Sequence, residues 1–284
     1  MLRSDKILRM ELKVLFSEDP AFVLGRAGVF LSSQPVLHNL ALSTLHARVA
    51  QGDPGRYWMA IQSGDTLGVV VQSPLNFPAI LTPLKTSVAT AMADAIVEAG
   101  VALPGITADA ATAATFAGEW SERSKLAARL FQGLRLYELF EIGEVPPSEG
   151  TLRQAGAKER SLMIAWTRAF RHEIDESDDD TELRVDKGLA AGELWLWDRG
   201  GETVSMAVSR KPVHGVVRLS GVYTPPDKRK HGYAAACVHA LSKELSDAGY
   251  RCILYTDLDN PTSNSIYRRI GYRAVAEALR YRFD

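Results

Sequence analysis

The 284-residue sequence is poor in cysteine, in net charge and in long apolar runs. Cys237 and Cys252 are its two cysteines, too few for a disulfide framework, and no Cys/His cluster has metal-ligand spacing. Cys237 falls in a helical apolar pattern and Cys252 opens a strand, so both are expected as reduced core residues, and no metal is expected. A formal net charge of −1 argues against bulk binding to nucleic acid or to an anionic membrane, although a local basic patch is compatible with it. No uninterrupted apolar stretch is long enough to span a bilayer. Met1 to Phe16 mixes Lys, Arg, Asp and Glu into its apolar pattern, unlike a signal peptide. A cytoplasmic protein with neither nucleic acid nor membrane as partner is the expectation. Hydrophobic content of 46% and charged content of 24% are those of a soluble globular chain, and the length suits two domains or one large one.

In the first half, Pro20 to Ala50 has helical character. Tyr57–Ile61 and Leu67–Val71 are strand-like and joined through Ser63-Gly64-Asp65, a hairpin signal. Ala79-Ile80-Leu81 is a short apolar run before Pro83. Two Ala-rich helices follow, one ending at Glu98 and one over Asp109 to Trp120. Phe131 to Ile142 is strand-like, alternating over Leu134–Leu139. No paired carboxylates, Ser/His/Asp set or phosphate loop stands out there. Pro146-Pro147-Ser148-Glu149-Gly150 has linker chemistry, stiff prolines followed by a glycine. The expected division is therefore 1–145, a linker at 146–153, and 154–284.

Beyond the linker, a helix over Ala157 to Glu173 is expected. The acidic run Asp175 to Glu182 reads as a solvated loop, with a cationic ligand as the weaker alternative. Gly192–Asp198 and Thr203–Val208 read as antiparallel strands around Arg199-Gly200-Gly201, with Trp195 and Trp197 on one packing face. Val216 to Tyr223 is a strand that Pro225-Pro226 must end, because two amide N–H groups are missing. After Gly232, Ala234, Val238, Leu241, Leu245 and Ala248 recur at helical spacing, and Gly249 supplies a stop. The loop between, with Arg229, Lys230 and His231, is an ordinary polar turn or a cradle for phosphates, since a helix N-terminus presents unpaired N–H groups. Cys252–Thr256 is a further strand, expected to be parallel to the previous one through a right-handed crossover. Asn260 with Pro261 is a cap-and-first-turn pair opening a helix to Ile270, with Gly271 as its stop. Asn260, Ser263, Asn264 and Tyr267 share one polar face of it. Asn260 is a simple cap or a ligand contact, and Tyr267 a surface aromatic or a cleft residue.

Two of these stretches resemble the GNAT acyltransferase superfamily. Arg229-Lys230-His231-Gly232-Tyr233-Ala234 is similar to its pyrophosphate loop, Arg/Gln-x-x-Gly-x-Gly/Ala. Asn260, Ser263, Tyr267, Gly271 and Tyr272 match Asn-x-x-Ser/Ala-x-x-x-Tyr-x-x-x-Gly-Phe/Tyr. The resemblance covers about Gln154 to Asp284 and looks like a bacterial branch of acetyltransferases. Lys230 and His231 depart from the Gly and Arg often found there, which reduces backbone freedom at Lys230. The first half looks like a decayed copy. Ile106 to Thr112 echoes Leu258 to Ser263, and Leu134–Tyr137 parallels Leu279–Arg282. Thr82-Pro83-Leu84-Lys85-Thr86-Ser87 stands in place of the phosphate loop, and Ala114-Thr115-Phe116 in place of the tyrosine. The fold implied is α/β with a mixed sheet, two tandem GNAT-like domains, the second intact.

What the resemblance implies is acyl transfer from acetyl-CoA, as co-substrate, to an amine acceptor, a small molecule or a peptide, in a ternary complex. A CoA-binding regulatory module without turnover is the alternative. The donor would be held by Val222, Tyr223, Thr224, Arg229, Lys230, His231, Gly232, Tyr233, Ala234, Asn260 and Ser263. Tyr267 would protonate the departing thiolate, phenol and thiol having pKa values within about two units of each other. Asp257, Asp259 or a water chain would take the acceptor's proton. Oligomeric state is left open.

Overall fold

A computed structural model describes residues 11–284. The reading of Met1 to Phe16 thus falls largely outside the described residues. The chain divides into two compact units, one ending at Leu134 and completed by Glu277–Asp284, the other Arg135–Ala276. The crossing from one to the other lies ahead of Pro146-Pro147, and the end of the expected linker belongs to a strand, Thr151–Gln154.

In the first unit the order is β1 (Lys13–Ser17), α1 (Pro20–Ser33), α2 (Asn39–Gln51), β2 (Arg56–Gln62), β3 (Asp65–Gln72), β4 (Ala79–Leu81), α3 (Thr86–Glu98), β5 (Gly105–Asp109), α4 (Ala110–Ser124) and the start of β6 (Ala128–Leu139). Asp19 starts α1 by accepting the Ala21 N–H at 2.8 Å, with Pro20 behind it in the first turn. Strands β1 to β4 are successively antiparallel and β4 runs parallel to β5. The other edge of β5 takes the chain's last strand, with Ala278 opposite Asp109 and Arg282 opposite Gly105. A core of Trp58, Met92, Ile96, Phe116, Trp120 and Phe283 fills the space between sheet and helices α3 and α4.

The second unit continues with the end of β6, β7 (Thr151–Gln154), a 3-10 turn into α5 (Arg160–Glu173), α6 (Thr181–Ala191), β8 (Leu194–Arg199), β9 (Glu202–Ser209), β10 (Val216–Tyr223), α7 (Tyr233–Asp247), β11 (Arg251–Asp257), α8 (Pro261–Ile270) and the start of β12 (Tyr272–Phe283). Its sheet runs β6-β11-β10-β9-β8-β7. Strands β10 and β11 are parallel, as the intervening helix requires, and β8 to β10 are antiparallel. Both units thus repeat strand, two helices, three strands, helix, strand, helix, strand. The tandem mixed α/β organisation expected from the sequence is the one observed.

The acidic run departs from expectation only at its end. Asp175 to Asp180 is the exposed loop expected, but the run ends inside α6, which starts at Thr181, and Asp180 and Glu182 are paired with arginines of α5 and α6. Arg168 reaches Glu182 at 3.0 Å, Arg171 reaches Asp180 at 3.3 Å, Arg160 reaches Asp186 at 2.6 Å, and Arg184 bonds Asp180 at 2.5 Å. These charges tie two helices together, which removes the support for a cationic ligand at this run.

Cys237 and Cys252 lie under α7 with Val238, Leu241 and Leu254. Burial pushes both thiols up to about 12, so neither supplies thiolate at neutral pH. An aromatic disulfide reagent is expected to find no reactive thiol in the native protein and both after unfolding in guanidinium; rapid native reaction of either would contradict the packing.

Candidate functional site

Strand β10 opens the site. Its parallel ladder with β11 runs from Val216 opposite Arg251 to Leu219 opposite Leu254 and ends there, although β10 continues to Tyr223 and β11 to Asp257. The cause lies on the other edge. Ser220 faces Val208 and Tyr223 faces Met206, so β10 carries one extra residue, a bulge that bends it away from β11. Gly221 makes the bulge possible, with φ of 55° and a pro-Cβ position 2.9 Å from Val208 Cγ2. Beyond the bulge Ser205 fastens the strand end, donating to the Tyr223 carbonyl at 3.1 Å and bonding Thr224 Oγ1 at 2.9 Å. The result is a wedge between two parallel strands, at their C-terminal ends.

The loop after β10 makes a 3-10 turn at Pro226–Lys228 and then passes Arg229 to Gly232 into α7. Lys230 and Gly232 both sit in the left-handed region, at φ of 67° and 79°. Lys230 carries a cost of about 1–2 kcal/mol there that glycine would not. No side chain caps α7. Among the described residues the amide N–H groups of Lys230 to Ala235 have no acceptor; the first helical bond of this end is Ala236 N–H to Gly232 O at 2.9 Å. Arg229, Lys230, His231 and Gly232 are exposed. A row of free N–H groups at the positive end of a helix, beside basic side chains, fits a diphosphate. Tyr233 differs from the other loop residues: its ring is buried and stacked on His231 at 5.4 Å.

Arg229 already has partners within the protein. Its Nε donates to the Thr224 carbonyl at 2.9 Å, and its Nη2 to Glu173 Oε1 at 2.6 Å.

Helix α8 forms the other side. Asn260 accepts the Ser263 N–H at 2.9 Å, so its side chain is the cap, one of the two roles its position allowed. Ser263 is half-buried and supplies that N–H. The more demanding residue is Asn264, which the sequence reading set on the polar face without assigning it a task. It is buried, donates to the carbonyls of Asp257 and Asn260 at 2.8 Å each, and accepts from Tyr137 Oη at 3.0 Å. It locks the end of β11, the start of α8 and strand β6 together. The signal was available: an amide four residues after a capping amide can reach the same turn.

Tyr267 is buried, not a surface aromatic, with its ring 6.4 Å from Tyr137 and 6.1 Å from Tyr272. The apolar cluster holding it also contains Leu219 and Leu254, the last paired residues before the strands part. No group among the described residues hydrogen-bonds its hydroxyl. Burial alone pushes its pKa up to about 12, so it is a protonated donor throughout the physiological range. The simple phenol–thiol match of about two units therefore does not apply to Tyr267 itself.

The first unit carries the same frame without the site. Asp109 caps α4 by accepting the Thr112 N–H, as Asn260 caps α8, and Phe116 then holds the place of Tyr267. The connection 82–85 is shorter than 224–232. Thr112 Oγ1 accepts the Leu84 N–H at 2.8 Å, and the Leu84 side chain covers Gly68.

A family model described as FR47-like protein matches residues 199–281. No curated protein matches the sequence. Among solved structures, a GNAT-family acetyltransferase from Colwellia psychrerythraea superposes with a TM-score of 0.64 at 11% identity, over 96% of this chain and all of that one (100%). A GCN5-related N-acetyltransferase from Sphaerobacter thermophilus gives 0.64 at 13% identity over 95% of each chain. A Drosophila protein gives 0.66 at 14% identity over 96% and 98%. Such identities carry the fold, and they carry it across both units. Among the described residues, no helix is long and apolar enough to cross a membrane and no group of His, Cys, Asp and Glu is placed to hold a metal. Residues 199–281 are thus similar to the FR47-like family, and the repeated element order is the fold that these acetyltransferase structures share with the chain across both units.

Proposed function

We propose that the chain is an acyl-CoA-dependent N-acyltransferase that moves an acetyl group from acetyl-CoA directly to an amine. The observation that carries this reading is the wedge opened by the Gly221 bulge, leading straight to the uncapped N-terminus of α7. The diphosphate would lie on the amides of residues 230–234. The pantetheine arm would pair with the backbone of Val222 to Thr224, where β11 has withdrawn. Acetyl-CoA supplies the activated thioester. A backbone N–H near Tyr223 stabilises charge developing on the thioester oxygen, as oxyanion donors do. Tyr267 gives its proton to the departing thiolate. A phenol at about 12 is a poor acid towards a thiol in water. A thiolate leaving into equally dry surroundings would be matched to it. Removal of the acceptor's proton falls to Asp257 or Asp259, at the end of β11, directly or through water.

The assay is acetyl-CoA with a panel of amines and peptide N-termini, following free thiol. Thiol release that needs both substrates is expected. Tight donor binding with no acceptor consumed would instead make the protein a CoA-binding regulatory module. Because the first unit lacks the long loop and has Phe116 in place of the tyrosine, calorimetry is expected to show one donor site per chain. Two equivalent sites would contradict the reading of the first unit as a degenerate copy.

A further inference from the structure

We infer that Arg229 is a positioning residue that shapes the donor loop from behind, held in that role by Glu173 on α5. This rests on the donor reading of the loop given above. The guanidinium is engaged on several sides: the Thr224 carbonyl at 2.9 Å, the Glu173 carboxylate at 2.6 Å, and the Tyr223 ring, whose centre lies 5.7 Å away. Tyr223 is backed in turn by Trp166 of α5, with ring centres 6.0 Å apart. Arg229 therefore joins the end of β10, the C-terminal residue of α5 and the first residue of the loop. The strand end it grips is itself fixed by Ser205.

An ion pair with 42% and 43% of its side chains exposed is worth little alone. Its value here is geometric. Lys230 and Gly232 must both take left-handed backbone angles for the N–H groups to converge. A loop with two such residues needs its first residue anchored, and Arg229 provides the anchor through a carbonyl and a carboxylate on two different elements. Electrostatics argue the same way. A guanidinium 2.6 Å from a carboxylate keeps its charge but has a negative group already seated on it. A diphosphate bound by that guanidinium would have to share it with Glu173, whose negative charge would oppose it. The two roles thus predict opposite signs for loss of the Glu173 charge.

The test uses the full chain and acetyl-CoA as the probe. Dissociation constants are measured by calorimetry for wild type, E173Q, R229Q, R229K and the E173Q/R229Q double variant. Amide exchange over residues 229–234 is measured on the free proteins. If Arg229 positions the loop, E173Q weakens binding roughly threefold to tenfold and speeds exchange of these amides, and the double variant binds no worse than R229Q. R229K keeps the charge but not the two-pronged grip, so it follows R229Q. If E173Q binds acetyl-CoA as tightly as wild type or tighter, or R229K restores wild-type affinity, Arg229 is a direct phosphate ligand and the inference fails. Wild-type protein that does not bind acetyl-CoA overturns the donor reading instead; exchange rates in free E173Q still decide whether Glu173 holds the loop, and unchanged rates dismiss that too.

Discussion

Tyr267→Phe is expected to lower kcat for acetyl transfer by about a hundredfold or more, with the KM for acetyl-CoA nearly unchanged, because general acid catalysis contributes about 10²–10⁴-fold. The substitution removes one oxygen and leaves the ring between Tyr137 and Tyr272. Stability should move the other way or not at all. The hydroxyl makes no hydrogen bond to any group among the described residues, so deleting it strands no partner. A variant that melts at or above the wild-type temperature yet turns over far more slowly is the signature of a group kept for chemistry. Wild-type turnover in Tyr267→Phe would end its role as the acid.

The pH dependence carries a second signature of the same residue. Burial raises the phenol from 10.0 to about 12, so Tyr267 remains protonated, and able to donate, until the pH approaches that value. Its folded-state pKa is the higher one. The stability this contributes is complete below pH 10 and is lost as pH rises through about 12. Any alkaline fall in rate below pH 10 must then come from another group. Tyrosinate absorbance should show a phenol ionising late in wild type and missing in Tyr267→Phe. An early-titrating phenol lost with that substitution would contradict the burial.

How much of this was legible in the sequence depends on whether the deciding interactions were local. The strand from Val216 to Tyr223, the turn after Pro225 and the helix start at Asn260-Pro261 were legible, because proline geometry and amide capping act over a few residues. Phe116 at the place of Tyr267 was legible too, since cap and aromatic keep the same spacing in both units. Helix α6 was not. Its entry is the run Asp178-Asp179-Asp180, which is solvated as its composition suggests; what makes a helix start of it is the pairing of Asp180 with Arg171 and Arg184. The fate of the last strand was also hidden. An alternating pattern marks Leu279 to Arg282 as a strand but says nothing of its partner, and that partner is β5 of the first unit. Arg229 shows the same limit at the site. Its spacing to Gly232 suggested a phosphate loop, whereas its direction is set by Glu173, distant in sequence.

Gly271→Ala should be the most damaging single methyl in the second unit. Gly271 ends α8 at φ of 113°, its N–H bonding the Arg268 carbonyl at 3.2 Å. A Cβ there would stand 1.8 Å from the Glu141 carbonyl oxygen and 3.1 Å from the Gly143 nitrogen. Both are backbone atoms, and the second is already committed to the Ile270 carbonyl at 2.8 Å, so neither can yield without breaking the contact that holds 141–143 against the helix end. Backbone strain and overlap together should cost about 3–5 kcal/mol, the range of exceptional point substitutions. The melting transition is expected to fall by roughly 10 °C or more. Tyr272, whose hydroxyl bonds Ser242 at 2.8 Å, follows directly and would be drawn out with it. Activity in this variant should fall with the folded fraction and recover on cooling, whereas the deficit of Tyr267→Phe should persist at every temperature. A Gly271→Ala protein with the wild-type melting temperature would mean that α8 ends in some other way, and the placement of Tyr267, four residues upstream on the same helix, would fall with it.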